Sequence, residues 1–189
     1  MNTSEDIISA IEIMERGGVI LYPTDTIWGL GCDVLCEGAV DKIFRIKKRE
    51  RKNPLILLVS SIEMLKEYVP AMHPRLENLL AFHEKPVTVI YDHVRNLPDY
   101  LKSKDGSVAI RITKEPYSHE LVERLNRPIT STSANITGQA FPKYFGEVQS
   151  DILQQVDYIS QWGRDSREER EPSVIMRIDL NGELDFVRY

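Results

Sequence analysis

Cysteine is scarce: Cys32 and Cys36 are the only two in 189 residues. They stand four apart with no second pair, so they read as reduced structural thiols rather than a disulfide or a metal site. The four histidines (His73, His83, His93 and His119) form no H-x-x-x-H or E-x-x-H pattern, so zinc is not indicated. No apolar run approaches the roughly 20 residues that span a bilayer. The start, Met1-Asn2-Thr3-Ser4-Glu5-Asp6, is polar and acidic, unlike a secretory signal. The expectation is a cytoplasmic protein with no membrane partner. Basic charge is also in deficit, 24 Lys and Arg against 29 Asp and Glu for a net −5, which argues against non-specific coating of nucleic acid. There is no G-x-S-x-G elbow, no G-x-x-x-x-G-K-[ST] loop and no paired Asp/Glu motif, and Gly29-x-Gly31 is only a fragment of a dinucleotide fingerprint. Internal repeats and low-complexity segments are lacking too.

What remains is a globular composition, 42% hydrophobic and 28% charged, long enough for one domain with its own core. Helices and strands alternate along the first two thirds. Ser4 can cap a helix carrying Ile7, Ile8, Ile11 and Met14, which Gly17-Gly18 ends. Val19–Tyr22 reads as a strand stopped by Pro23. A second helix runs from about Ala39 toward Ile46, and Leu55–Val59 has the continuous apolar character of a strand buried on both faces. Ser60-x-x-Glu63 resembles a capping box, Pro74 an N1 proline, and Ser118 a further cap. Val87–Tyr91, Val108–Ile112 and the run from Ile129 read as strands, and a helix is predicted around Gly146–Val156, followed by a strand near Tyr158. Val174–Ile178 and Leu184–Val187 flank Asn181-Gly182, a strong hairpin signal. Early alternation followed by a strand-rich tail predicts an α/β fold with an open, twisted, mixed sheet and flanking helices.

Three stretches could carry chemistry. Tyr22-Pro23-Thr24-Asp25-Thr26-Ile27-Trp28-Gly29 places hydroxyls and a carboxylate where a strand meets a loop, either as a grip for a small polar substrate or as an ordinary turn. The run Lys47-Lys48-Arg49-Glu50-Arg51-Lys52 projects Lys47, Arg49 and Arg51 to one side if extended, matching a polyphosphate. If helical, it aligns only Lys47 with Arg51 or is simply a solvated helix end. Ser131-Thr132-Ser133-Ala134-Asn135, with Thr137-Gly138, can offer hydroxyls and backbone N–H groups to an anion, or can be a turn. Arg111, inside an apolar strand, either faces solvent or is held inside by an anionic partner. The segment from Gly163 to Glu171 has no apolar anchor and reads as solvated or as a flap. Such residues suit an enzyme that positions substrates and neutralises charge.

Taken in order, Pro23-Thr24-Asp25-Thr26-Ile27-Trp28-Gly29-Leu30, Lys47-x-Arg49, Asn53-Pro54-Leu55, Pro86-Val87-Thr88, Val108-Ala109-Ile110-Arg111, Ser133-Ala134-Asn135-x-x-Gly138 and Pro172-Ser173 resemble the YrdC/TsaC family of threonylcarbamoyl-AMP synthases. With Tyr189 at its end, the chain is similar to the short form, a single YrdC-like domain over residues 1–189. The resemblance implies a central basic cavity and a reaction in which L-threonine, bicarbonate and ATP give threonylcarbamoyl-AMP and pyrophosphate. That intermediate serves threonylcarbamoyladenosine modification of tRNA, with other proteins of the pathway and RNA as potential partners and Mg²⁺ accompanying ATP. It implies Lys47 and Arg49 as catalytic, and Lys47, Arg49, Arg51, Ser133, Asn135 and Arg188 as ATP-binding. Thr24, Thr88, Arg111, Ser131 and Ser173 are implied for threonine. The alternatives are an RNA-binding relative with little synthase activity, motivated by the basic run, and a carbamoyl-transfer domain of the hydrogenase-maturation type.

Overall fold

The computed structural model describes residues 2–178 and 183–188, and of Arg188 the backbone alone. Chain order gives α1 (Thr3–Glu15), β1 (Ile20–Tyr22), β2 (Gly29–Gly31), α2 (Glu37–Ile46), β3 (Ile56–Val59), α3 (Ile62–Tyr68), α4 (Pro74–Phe82) and β4 (Val87–Tyr91). There follow β5 (Val108–Ile112), α5 (Pro116–Leu125), β6 (Ile129–Ser133), α6 (Ser150–Leu153), β7 (Tyr158–Ile159), β8 (Val174–Ile178) and β9 (Leu184–Arg188). The Asn181-Gly182 turn falls outside the described residues. No helix among the described residues is long and apolar enough to cross a membrane.

The strands form one open, twisted sheet in the order β7-β1-β2-β6-β3-β5-β4-β8-β9. It is mixed: β1/β7, β3/β5 and β4/β8 are parallel and the remaining pairs antiparallel. Laterally paired residues point to the same face. One such row, Thr130, Leu57, Ile110, Val89 and Met176, is buried throughout, and α3 and α5 pack against the strands at its centre, α3 on β3 and β5 and α5 on β3. The next rows over, Ser131-Ile56-Ala109-Ile90 and Leu58-Arg111-Thr88-Ile175, point to the opposite face. Small and polar side chains in these two rows leave room above the middle of the sheet.

Three N-caps differ from those predicted, whereas Pro74 opens α4 as expected. Asn2, not Ser4, caps α1: it accepts from Glu5 N at 2.9 Å while the Glu5 carboxylate accepts from Asn2 N at 3.1 Å. Gly17, with φ +80°, turns the chain out of α1. Ser61 caps α3, whereas Ser60 donates to the Met64 thioether at 3.8 Å. Glu115 caps α5, accepting from Ser118 N at 2.7 Å, with Pro116 as the first helical residue. The predicted helix around Gly146–Val156 breaks into a short 3₁₀ turn, Phe145–Glu147, and the single turn of α6. Val148 and Gln149 are extended between them, and Phe145 is drawn onto Trp28, with ring centroids 4.9 Å apart.

Both thiols are free. Burial pushes that of Cys32 up to about 12, as suits an inert core residue.

Candidate active site

The basic run owes its geometry to the end of α2. Lys47 is the last residue with helical backbone angles, and Lys48 takes a left-handed conformation at φ +49°. Lys48 N donates to Arg45 O at 3.1 Å and Arg49 N to Phe44 O at 3.0 Å, the paired closure of a Schellman motif. The run is therefore neither an extended strand nor a continuing helix, and its three cations separate. Lys47 turns inward and is 1% exposed. Its ammonium donates to the carbonyls of Ser133 and Asn135, the latter at 2.8 Å, and lies 3.4 Å from Ser133 Oγ. Thr137 N closes the link by donating to Lys47 O at 2.9 Å. Arg49 points along the hollow, with Nε donating to Asn53 O at 2.8 Å and a terminal nitrogen to Pro54 O at 2.9 Å. Arg51 turns away, pairs with Asp41 and stacks 5.1 Å from the centre of the Phe44 ring.

Burial, and then the neighbouring Arg49 charge, push the Lys47 ammonium down to about 7. The carbonyls that accept from it oppose that shift, because they favour the charged form. Burial also lowers Arg49.

The hollow above the sheet measures about 410 Å³. Arg49, Arg111, Ser131, Ser133 and Ser173 line it, joined by Thr26, a member of the quoted hydroxyl cluster in which Thr24 is the residue implied for threonine, and by Phe141, which stands in no motif. Thr24 and Thr26 have the same chemistry two residues apart, and only the path of the loop decides which of them reaches the hollow. Thr24 stands behind the hollow, its hydroxyl donating to Ile27 O at 2.8 Å and accepting from Thr26 N at 3.0 Å. Thr88 is fully buried and shares a hydrogen bond of 2.8 Å with Ser173 Oγ. Asn135 is spent on its own loop, its amide donating to Gln139 O at 2.7 Å. The Arg188 side chain lies outside the described structure.

Arg111 is held inside by an anionic partner, Asp25, at 3.1 Å; its side chain is 3% exposed. The pair is offset, since Arg111 Nε and Asp25 Oδ1 each lack a hydrogen-bond partner among the described residues. Arg111 lines the hollow, and its incompletely matched guanidinium is a group that an incoming carboxylate would pair with. The described residues contain no group of three or more His, Cys, Asp or Glu that could hold a metal.

One hollow thus gathers Arg49, Arg111 and three serines from distant parts of the chain. The family model Sua5_yciO_yrdC, described as "Telomere recombination", matches residues 12–189. The chain belongs to the Sua5/YciO/YrdC family. A threonylcarbamoyl-AMP synthase of Pseudoalteromonas translucida is 32% identical over 161 residues, 84% of this chain and 86% of that one. Another, from Hydrogenovibrio crunogenus, is 36% identical over 138 residues, 70% of this chain and 74% of that one. The crystal structure of P. abyssi Sua5 complexed with L-threonine superposes with a TM-score of 0.85 at 25% identity, covering all of this chain and 54% of that one. The chain thus spans about half the length of that Sua5 protein.

Proposed function

We propose that the chain is a threonylcarbamoyl-AMP synthase, converting L-threonine, bicarbonate and ATP into threonylcarbamoyl-AMP and pyrophosphate. The observation that carries this reading is the shared hollow: Arg49 and Ser133 on the β6 side, Arg111 and Ser173 on the β5–β8 side, one cavity between them. Arg111 takes the threonine carboxylate on its guanidinium, with Thr26, Ser131 and Ser173 offering hydroxyls to the rest of the amino acid. The threonine amine, carboxylated by CO₂ from bicarbonate, becomes a carbamate. A carbamate oxygen attacks the α-phosphorus, and pyrophosphate leaves. Arg49 neutralises charge on the phosphates, and Lys47 keeps the Ser133–Asn135 bend in place beneath them. The carbamate and the mixed anhydride are both labile in water, and a recessed cavity protects them.

Mg²⁺ would enter with the triphosphate, bound by phosphate oxygens and water rather than by a carboxylate cluster, and would supply charge neutralisation. The product serves tRNA threonylcarbamoylation in the cytoplasm, handed on to other proteins of that pathway, with residues 1–189 acting as one YrdC-like domain. The RNA-binding alternative loses much of its motivation, because Arg51 is paired with Asp41 and Lys52 with Glu50 at 2.5 Å.

The test is pyrophosphate release with threonine, bicarbonate and ATP, each omitted in turn. Release that depends on all three is expected. Release indifferent to threonine, or none, overturns the reading.

A further inference from the structure

We infer that Arg170 is a positioning residue: from outside the hollow it fixes the loop that carries Asp25 and Thr26 into it. The segment from 163 to 171 has no apolar anchor, yet arginines fasten it in place. Arg164 donates to Ser160 O at 2.6 Å and to Ile159 O at 2.5 Å, and its guanidinium lies 5.3 Å from the centre of the Phe145 ring, the ring that rests on Trp28. Arg167 sits 4.9 Å over Tyr144. A Cβ at Gly163 would stand 3.6 Å from Pro23 Cβ, so the strap lies directly against the substrate loop.

Arg170 makes the polar contact between the two. It donates to Thr24 O at 2.7 Å, while Glu168 holds its other side with Oε2 at 2.7 and 3.2 Å. Among the described residues no other group donates to that carbonyl. The loop's outer side is not backed by core there. It borders a chamber of about 330 Å³ lined by Thr24, Trp28, Glu115, Trp162 and Arg170 among others. Without Arg170, little opposes rotation of the Thr24 peptide into that space.

Such a rotation would be felt in the hollow. Thr24 Oγ1 binds Thr26 N at 3.0 Å and Thr26 Oγ1 at 2.9 Å; Thr26 Oγ1 accepts from Arg111 at 3.4 Å, and Asp25 pairs with the same guanidinium. Arg170 thus stands at the outer end of a continuous polar chain whose inner end is Arg111. It does not line the hollow, and its effect should fall on the amino acid rather than on the nucleotide. That kinetic consequence rests on the synthase reading; the loop-fixing role does not.

The experiment compares wild type with Arg170→Ala, Arg170→Lys and Glu168→Gln by two readouts. The first is amide hydrogen exchange of the protein alone. Arg170→Ala should speed exchange across residues 24–28, at Thr26 above all, by about tenfold for the loss of one charge-assisted hydrogen bond, and leave Leu57 in β3 unchanged. The second is pyrophosphate release. The KM for threonine should rise about fivefold or more by the same bond's weakening, with the ATP KM and kcat within about twofold. Arg170→Lys should recover part of both effects, and Glu168→Gln should show a smaller version of them. Unchanged loop exchange in Arg170→Ala overturns the proposal, as does exchange that quickens equally in β3. An active enzyme whose threonine and ATP KM values move together overturns it too. A wild type without threonine-dependent release overturns the synthase reading instead, and loop exchange alone then decides for or against Arg170.

Discussion

The Lys47 ammonium donates to the Asn135 carbonyl at 2.8 Å from a side chain that is 1% exposed. A residue expected to meet phosphate is thus embedded in the protein, tying the end of α2 to the bend after β6. Lys47→Met removes the donor and leaves the Asn135 carbonyl unpaired in a buried place, while Ser133 O keeps only the Asn135 N–H at 2.9 Å; a buried group left unsatisfied costs about 1–3 kcal/mol. The variant should unfold at a lower temperature and release pyrophosphate at least about tenfold more slowly, because a loss of 1.36 kcal/mol in the transition state is tenfold in rate. Lys47→Arg should not rescue it, since a planar guanidinium is bulkier than the ammonium of a side chain that is only 1% exposed. A variant with wild-type kinetics would show that the bend does not need its tie.

The same lysine predicts a pH dependence of stability. Its folded value lies near 7, against 10.5 for an unburied lysine. Between those values the unfolded chain holds a proton that the folded chain has released, so stability rises with pH through the window. The cost of burying the charge is fully present below pH 7 and gone above about 10.5. Urea unfolding at pH 7 and pH 9 should show wild type gaining about 1–2 kcal/mol relative to Lys47→Met, given at most 1.36 kcal/mol per pH unit for one proton. Parallel pH dependences in the two proteins would place the Lys47 pKa elsewhere.

Much of the fold was legible because central strands advertise themselves. Leu57, Leu58 and Val59 are all fully buried, as an apolar run with no polar alternation requires. Caps were less legible. Asn2 and Ser4, or Ser60 and Ser61, are equally suited to cap a helix, and only the path of the chain chooses between them. At the site, composition identified the cations but not their directions. Those follow from the left-handed Lys48, a position where sequence would lead one to look for glycine or asparagine. The 163–171 strap read as solvated because its anchors are arginines on Phe145 and Tyr144, aromatic partners that lie well before it in the chain.

Asp25 and Arg111 form a buried pair whose fit is incomplete. Asp25→Asn keeps the shape and removes the anion, leaving Arg111 uncompensated. Breaking a buried pair from one side costs about 3–5 kcal/mol. Threonine brings a carboxylate to the same guanidinium. Saturating threonine should therefore raise the melting temperature of Asp25→Asn by more than it raises that of wild type. Equal shifts would mean that the threonine carboxylate is not received by Arg111.

Arg49 and Arg51, two residues apart, should behave oppositely. Arg49 is held by two carbonyls, Asn53 O and Pro54 O, at the wall of the hollow. A lysine at position 49 cannot keep both contacts and reach a phosphate as well. Arg49→Lys should thus raise the ATP KM or lower kcat by about tenfold, the value of one charge-assisted contact. Arg51 is an exposed side chain paired with Asp41 on α2. Arg51→Ala should leave both constants within about twofold, since exposed substitutions seldom exceed 0.5 kcal/mol. Steady-state kinetics with varied ATP decides between them. A tenfold rise in ATP KM for Arg51→Ala would mean that nucleotide draws this guanidinium away from Asp41, and that the basic run re-forms as an extended comb of three cations when phosphate arrives.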